Sequence, residues 1–230
     1  MSDSQGKRMR ISRLLSEHGL TPLPGWEGGP LPLPPGKNAT PEERAIASRR
    51  FNVQVGNVHR LLDMATPEEE HAGDMWYPTA HGHAERIGRL AQRSGFVPHV
   101  DPADLGSSII AVTSPLNEWD RNLMASHALA RYGRLPPTIS GAEHEHHLHY
   151  MGSRQHVEKV QHMIRTGDIH QLVVPGSKAL KTVNFKQDIL HPFNTDSVTI
   201  DRHAHDATTG VVITGDQRGL GSPRRYEGLQ

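Results

Sequence analysis

The chain contains no cysteine. This absence excludes disulfides, thiolate zinc sites and cysteine-ligated iron–sulfur clusters. Aromatic residues make up only 5% of the 230 residues, so leucine, isoleucine and valine must supply most of the core. No apolar run approaches the ~20 residues that a membrane helix needs, and the N-terminus lacks the apolar stretch of a signal peptide. We therefore expect a cytoplasmic protein that makes no contact with a membrane.

The chain also lacks an excess of charge of either sign. Lysine and arginine together number 25, and aspartate and glutamate together number 25. Composition alone therefore does not indicate a nucleic-acid partner. Histidine is abundant, at 17 residues, so the net charge becomes positive in mild acid.

Residues 1–39 form a segment unlike the rest of the chain, because the stretch TPLPGWEGGPLPLPPGKN is dense in proline and glycine. Proline cannot donate to a hydrogen-bonded ladder and restricts the residue before it. We predict a flexible or extended N-terminal arm. The alternative is a strap that lies on a protein partner or on its own domain, with Trp26 as an anchor.

Helix signals recur from residue 40 onward. Two capping boxes, TPEE at 40–43 and again at 66–69, and the sequence DPAD at 101–104 each place a capping side chain before a proline. Apolar residues then follow at helical spacing. We predict helices after Thr40, from Thr66 through Ala91, after Asp101, from Asn117 to Tyr132, over 157–166 and 180–190, and after Asp201.

No strand pattern is long enough for a sheet, so the predicted fold class is all-α. We assign residues 40–230 to one helical domain. Ser222 and Pro223 have the pattern of a helix start, and the chain ends about two turns later. We therefore expect that C-terminal helices of a longer parent are missing.

Three stretches carry a resemblance to a known family. They are IIAVTSPLNEWDRN at 109–122, VPGSKALKTVNF at 174–185 and VTIDRHA at 198–204. Their order and spacing resemble the helix-hairpin-helix DNA glycosylases of the endonuclease III type. They resemble more closely a group of small phage and actinobacterial proteins that carry the motifs SPxxxWxxN and VTIDRHA.

The resemblance implies a helix-hairpin-helix, glycosylase-like domain whose partner is DNA and whose chemistry is base excision or base modification. A base within a duplex is out of reach, so such a protein flips it into a pocket. The residues that the resemblance places against DNA are Gly176, Ser177, Lys178, Trp119 and Asn122. Those that it places in catalysis are Lys181 as a nucleophile, Asp201 as the group that activates the nucleophile or stabilises an oxocarbenium-like state, and His203 beside them.

This chain departs from the family pattern at three points, one of which is the expected loss of the helices that would follow Tyr226. Lys178 stands where the hairpin would have its second glycine, and the four cluster cysteines are absent. Each site residue also has a structural interpretation. Asp201 can be a helix cap, Lys181 can be a surface lysine with Lys178 as a rival, Trp119 can belong to the core, and Asn122 can bind a helix end.

Three alternatives to a glycosylase stay open. The first is a catalytically inactive module that binds DNA, or a protein through the proline-rich arm. The second is pyrophosphorylase-type hypermodification of thymine. The third is a metal site in DRHAHD at 201–206, which we disfavour because His203 and His205 point about 200° apart on a helix. The histidine-rich tract at 143–149 we interpret as a solvated loop. We predict no metal and no cofactor.

Overall fold

The structure, a computed structural model, describes residues 19–26, 35–115, 117–134, 161–166, 180–194 and 197–211. All regular elements within these ranges are helices, and the ranges contain no strand. The prediction of an all-α fold is therefore confirmed. The predicted start of a helix at Ser222 lies outside the described residues.

Seven helices have defined bounds within the described residues. They are α1 Pro41–Asp63, α2 Pro67–Asp74, α3 Trp76–Arg93, α4 Pro102–Thr113, α5 Trp119–Tyr132, α6 Leu180–Leu190 and α7 Arg202–Thr209. Residues 161–166 are also helical. The chain divides into two compact units, of which unit 1 comprises Met1–His71 and Ile200–Gln230, and unit 2 comprises Ala72–Thr199.

The predicted helix starts are present where capping side chains precede a proline. Thr40 and Glu43 form a reciprocal capping box at the start of α1. Thr66 and Glu69 repeat the same pair of hydrogen bonds at α2. Asp101 accepts hydrogen bonds from the first amides of α4. These contacts satisfy backbone donors that have no partner within the helix.

The single helix expected from Thr66 through Ala91 is wrong, because the chain is divided there into α2 and α3. Met75 separates them, with φ −88° and ψ −2°. Pro78 supplies the physical reason. A proline ring clashes with the carbonyl group four residues earlier, which here belongs to Asp74, the last residue of α2. In α3, Pro78 falls in the first turn, where proline is tolerated.

Where the structure describes them, the other predicted boundaries differ little from those observed; the start of the helix predicted over 157–166 lies outside the described residues. Helix α5 begins at Trp119, two residues later than expected, and ends before Gly133, whose φ is 63°. Asp201 precedes α7 as expected, and Gly210 follows it with φ 68°. Glycine adopts this left-handed conformation without the steric cost that other residues incur.

Unit 2 contains a hydrophobic core in which α4 is buried on nearly all sides and α3, α5 and α6 each contribute buried residues. The fully buried members include Ile87 on α3, Leu105 and Ile109 on α4, Leu129 on α5 and Ile189 on α6. Helices α3 and α4 make the most extensive contact of the unit. Burying these aliphatic side chains is the main source of the stability of the unit.

Unit 1 pairs α1 with α7 and holds residues 19–26, which we call the strap. Leu20 and Leu23 of the strap are buried, at 8% and 3% exposure. The Thr21 backbone N–H donates to Asn57 Oδ1 at 2.8 Å, and Asn57 Nδ2 donates to the Thr21 carbonyl at 2.9 Å. Within the arm predicted for residues 1–39, these eight residues therefore lie on helices of their own chain, as the strap alternative expects.

Candidate functional site

Four aromatic side chains of unit 2, Trp76, Tyr77, Trp119 and Phe185, form what we call the aromatic cluster. The centroid of the Trp76 ring lies 4.8 Å from that of Tyr77, 4.9 Å from that of Trp119 and 6.0 Å from that of Phe185. Trp76 keeps 38% of its surface exposed. Trp119 was the aromatic residue expected at a DNA pocket, and the structure places it beside a second, more exposed tryptophan.

Sequence patterns did not single out the cluster, because its members come from three helices. Trp76 and Tyr77 begin α3, Trp119 begins α5, and Phe185 lies in the middle of α6. The break between α2 and α3 puts Trp76 at a helix start. Only the packing of α3, α5 and α6 brings these rings together.

The His83 imidazole stands at the edge of the cluster, and the charges of Arg86 and His127 act on it. The His83 ring meets Trp119 edge-on, with centroids 6.1 Å apart. Burial lowers the pKa of His83, and the charges of Arg86 and His127 lower it further. Burial also lowers the pKa of His127, again with a contribution from Arg86. Both imidazoles are therefore neutral near pH 7, whereas Arg86 stays charged.

Asn122, expected to contact DNA, is 2% exposed and holds the end of α4. Its Nδ2 donates to the Ile110 carbonyl at 3.1 Å, and its Oδ1 accepts from Thr113 Oγ1. The Thr113 hydroxyl lies 2.8 Å from that of Ser126, which completes a buried network. The last carbonyls of a helix have no partner within it, so Asn122 supplies a donor there. This role uses its amide nitrogen within the core.

Lys181, expected to be a desolvated nucleophile, is exposed on α6. The buried lysine of this helix is Lys186, whose Nζ lies 2.5 Å from Asp104 Oδ1 on α4. The structure therefore does not provide the burial that would release a free amine at Lys181. Lys186 is not available for a contact with phosphate either, because its charge is paired with that of Asp104 within the unit.

Asp188 was not singled out from the sequence, yet it organises the start of the VTIDRHA motif. It is 5% exposed and accepts hydrogen bonds from the Ser197 hydroxyl and, at 2.6 Å, from the Thr199 hydroxyl. Asn184 Nδ2 donates to the Val198 carbonyl at 2.8 Å. Residues 197–199 are thus held along α6 by the side chains of Asp188 and Asn184.

Asp201 lies in unit 1 and caps α7. Its Oδ1 accepts from the backbone N–H groups of His203 and Ala204, each at 2.8 Å. In the described part of the chain, Oδ2 of this half-buried carboxylate accepts no hydrogen bond. His203 is exposed on the first turn. The cap alternative is therefore present in the structure, and it leaves one oxygen for chemistry. A common pocket for Lys181 of unit 2 and Asp201 stays a prediction.

His205 on α7 is fully buried, with Nδ1 3.2 Å from Asp206 Oδ1. The ring of Trp26 packs against it edge-on, with centroids 6.2 Å apart. The alternating histidines of the motif thus face in different ways, with His203 exposed and His205 buried. This difference agrees with the 100° per residue of a helix and argues against a shared metal ion.

Three predicted DNA contacts, Gly176, Ser177 and Lys178, lie outside the described residues, as does the tract at 143–149. Among the residues that the structure does describe, no group of three or more histidine, aspartate or glutamate side chains is placed to hold a metal ion. Within those same ranges, none of the helices combines the length and the apolar character needed to cross a membrane.

Comparison with known proteins yields one family. Neither the curated proteins nor the solved structures contain a match to this chain. The model of the family described as "Family of unknown function (DUF7178)" matches residues 41–230, which is most of the chain and leaves out the strap. The chain therefore belongs to the DUF7178 family.

Proposed function

We propose that this chain is a DNA-directed protein of the helix-hairpin-helix glycosylase type that acts by base excision or base modification. The observation that carries the proposal is the aromatic cluster, in which Trp76 is 38% exposed beside Trp119 and Phe185. Exposed aromatic rings provide a surface on which an unpaired or extruded base can stack. Such stacking contributes about 1–3 kcal/mol per base.

The charges around the cluster suit a weak interaction with phosphate. Arg86 supplies one permanent cation, and His83 and His127 are neutral near pH 7 because their pKa values are lowered. A phosphate brought close to them favours their protonated forms, so binding of DNA takes up protons. Together with the zero formal net charge of the chain, this predicts modest affinity at neutral pH that falls as salt rises.

The chemistry that we propose centres on Asp201. Its Oδ1 is committed to the cap of α7, whereas Oδ2 has no hydrogen-bond partner among the described residues. A carboxylate oxygen in this state can accept a proton from an attacking water or stabilise positive charge that develops on a sugar ring. His203, exposed on the same turn, is the second proton-transfer group of the proposal.

Because Lys181 is exposed, we propose a role for it other than that of a nucleophile. A lysine amine is nucleophilic only when it is deprotonated, which burial promotes and solvent opposes. An exposed Lys181 suits a phosphate contact better than a covalent intermediate. The same observation favours the second candidate function, a DNA-binding module without catalysis, over a lyase. Thymine hypermodification remains a further form of the base-modification proposal.

Fluorescence anisotropy tests the binding proposal. We expect labelled single-stranded DNA, or a duplex with a mismatch, to bind more tightly than a matched duplex, because its bases cost less to unstack. Affinity should fall at least tenfold between about 50 mM and 200 mM salt if several phosphates are contacted. Absence of binding at the lower salt concentration, or affinity indifferent to salt, would contradict the proposal.

A second assay separates the chemical possibilities. Duplexes that carry abasic, mismatched or modified thymine sites are incubated with the protein, with and without borohydride. Base release without a trapped adduct indicates a water nucleophile, as expected from Asp201. A trapped adduct that is lost in Lys181→Ala and kept in Lys178→Ala indicates a lyase. Binding without base release or modification on any of these duplexes leaves the non-catalytic module.

A further inference from the structure

The strap covers a buried histidine of unit 1. The Trp26 ring lies edge-on to the His205 ring, with centroids 6.2 Å apart and an interplanar angle of 66°. His205 has no exposed surface, and the Trp26 indole nitrogen is also shielded from solvent. The strap is therefore an element whose movement would expose one side of this imidazole.

The two ring nitrogens of His205 differ in their surroundings. Nδ1 lies 3.2 Å from the Asp206 carboxylate, and because an ionised carboxylate only accepts hydrogen bonds, we expect Nδ1 to carry the hydrogen. Nε2 then keeps a lone pair. In the part of the chain that the structure describes, Nε2 is buried and makes no hydrogen bond. Nearly all buried polar atoms in native proteins have a partner, so an acceptor without one at the centre of a folded unit requires an explanation.

Leu20 and Leu23 of the strap are buried and Thr21 is paired with Asn57, whereas both ends of the strap are held by exposed hydrogen bonds. Arg50 donates from Nε to the Pro24 carbonyl and from Nη2 to the Gly25 carbonyl, each at 3.1 Å, and both bonds are exposed. Arg60 donates in the same way to the Gly19 carbonyl. Exposed hydrogen bonds of this kind contribute little stability, so the end of the strap that bears Trp26 opens locally at lower cost than the part that holds the buried leucines.

We propose that the strap is a lid over a ligand site at His205, and that the site takes a hydroxyl group. The hydroxyl hydrogen is donated to Nε2, while Asp206 holds Nδ1–H and stabilises the imidazolium if the proton is transferred. Trp26 Nε1 is a buried donor that has no partner among the described residues either. A hydroxyl group both donates and accepts, so its chemistry matches one acceptor and one donor. This proposal does not depend on the DNA proposal.

Chemical modification of the full-length protein tests the lid. Diethyl pyrocarbonate transfers an ethoxyformyl group to an unprotonated imidazole nitrogen, and peptide mass spectrometry locates the product. In the unmodified chain we expect rapid reaction at His59, which is exposed on α1, and slow reaction at His205. In Arg50→Ala we expect reaction at His205 about tenfold faster, which corresponds to about 1.4 kcal/mol of lid stability.

The matched control is Arg49→Ala, which makes the same change of charge on the same helix one residue away and should leave the rate at His205 unchanged. Trp26→Ala is a second way to uncover the ring. Circular dichroism checks that each variant keeps its helices. The reaction rate at His205 could be the same in Arg50→Ala, in Trp26→Ala and in the parent chain. That result would show that the strap is a fixed part of the packing and would overturn the lid.

Nuclear magnetic resonance of histidine labelled with ¹⁵N tests the hydroxyl site. Loss of a signal in His205→Gln assigns this ring. In the parent chain we expect the Nδ1–H tautomer, and we expect Asp206→Asn to change it. In Arg50→Ala we expect the Nε2 signal to shift when 2-deoxyribose or glycerol is added. His59 serves as the unresponsive control. The Nε2–H tautomer in the parent chain, or no shift with either compound, would overturn the site.

Discussion

Gly88 lies so close to Pro102 that a Cβ atom at the glycine would overlap the proline carbonyl group. Gly106 meets the carbonyl of Ala84 in the same way. These two glycines let α3 and α4 touch backbone to backbone at both ends of their crossing. The crossing positions Trp76 and His83 on α3 relative to the rest of unit 2, so the geometry of the aromatic cluster depends on it.

Gly88→Ala should therefore strongly destabilise unit 2. The added methyl group has no space unless α3 moves away from α4, and overpacking of this kind costs about 3 kcal/mol or more. Gly82→Ala is the control on the same helix, because its methyl group would make only ordinary contact with the Arg86 side chain, at 3.6 Å. In urea denaturation, the free energy of unfolding should fall for Gly88→Ala and rise by about 0.5–1 kcal/mol for Gly82→Ala. Equal urea midpoints for Gly88→Ala and Gly82→Ala would contradict the close approach of α3 and α4.

Trp76→Ala should weaken binding to single-stranded DNA about tenfold or more, because the loss of one stacking partner costs about 1–3 kcal/mol. Phe193→Ala is the matched control. Phe193 is 85% exposed and lies outside the aromatic cluster, so its removal should leave affinity unchanged. Anisotropy titrations on the same labelled strand compare the two variants. If both variants bind like the parent chain, the aromatic cluster is not the site where bases stack.

The stability of unit 2 should fall in mild acid. The pKa values of His83 and His127 are lowered below 6.5 by burial and by Arg86, so the unfolded chain binds protons first as the pH falls. The two neutral imidazoles contribute fully to the free energy of unfolding above about pH 6.5. This contribution is lost as the pH falls through the lowered pKa values. Arg86→Gln should raise both pKa values and reduce this loss, whereas Arg93→Gln should not. Urea midpoints at pH values above and below the window, with imidazole titration by nuclear magnetic resonance, provide the measurement.

Two substitutions at Asp201 separate its roles as a cap and as a chemical group. Asn is as good a cap as Asp, so Asp201→Asn should keep the thermal stability, whereas Asp201→Ala should cost about 1 kcal/mol. If the carboxylate carries the chemistry, base release or modification is lost in both variants. Turnover retained by Asp201→Asn would leave Asp201 as a helix cap alone. Thermal melts and the base-release assay are run on the same preparations.

The ion pair between Lys186 and Asp104 should show a large interaction energy in a double-mutant cycle on the free energy of unfolding. Asp104→Asn leaves the Lys186 ammonium buried without its counter-charge. We expect a cost of roughly 2 kcal/mol, below the usual range for a fully buried pair because the Asp104 side chain is 28% exposed. The double variant with Lys186→Met should recover most of this loss. Additive losses in the double-mutant cycle would show that the two charges do not interact.

The sequence by itself determined most of the helices and their ends. Capping boxes at Thr40 and Thr66, the cap at Asp101, and glycines at 133 and 210 act through backbone groups only a few residues away. Such signals can be interpreted without knowledge of the fold. The division at Met75 is also local, since it follows from Pro78.

Only the tertiary structure decided which side chains meet and which are buried. The packing of α4, α5 and α6 decides that Lys181 is exposed and that Lys186 and Asn122 are buried. The contact between Trp26 and His205 joins residues far apart in the chain. Burial and long-range pairing are properties of the packed helices as a whole, because each side chain competes for the same limited interior. A motif therefore identified candidate residues, and packing assigned each of them to the core or to the surface.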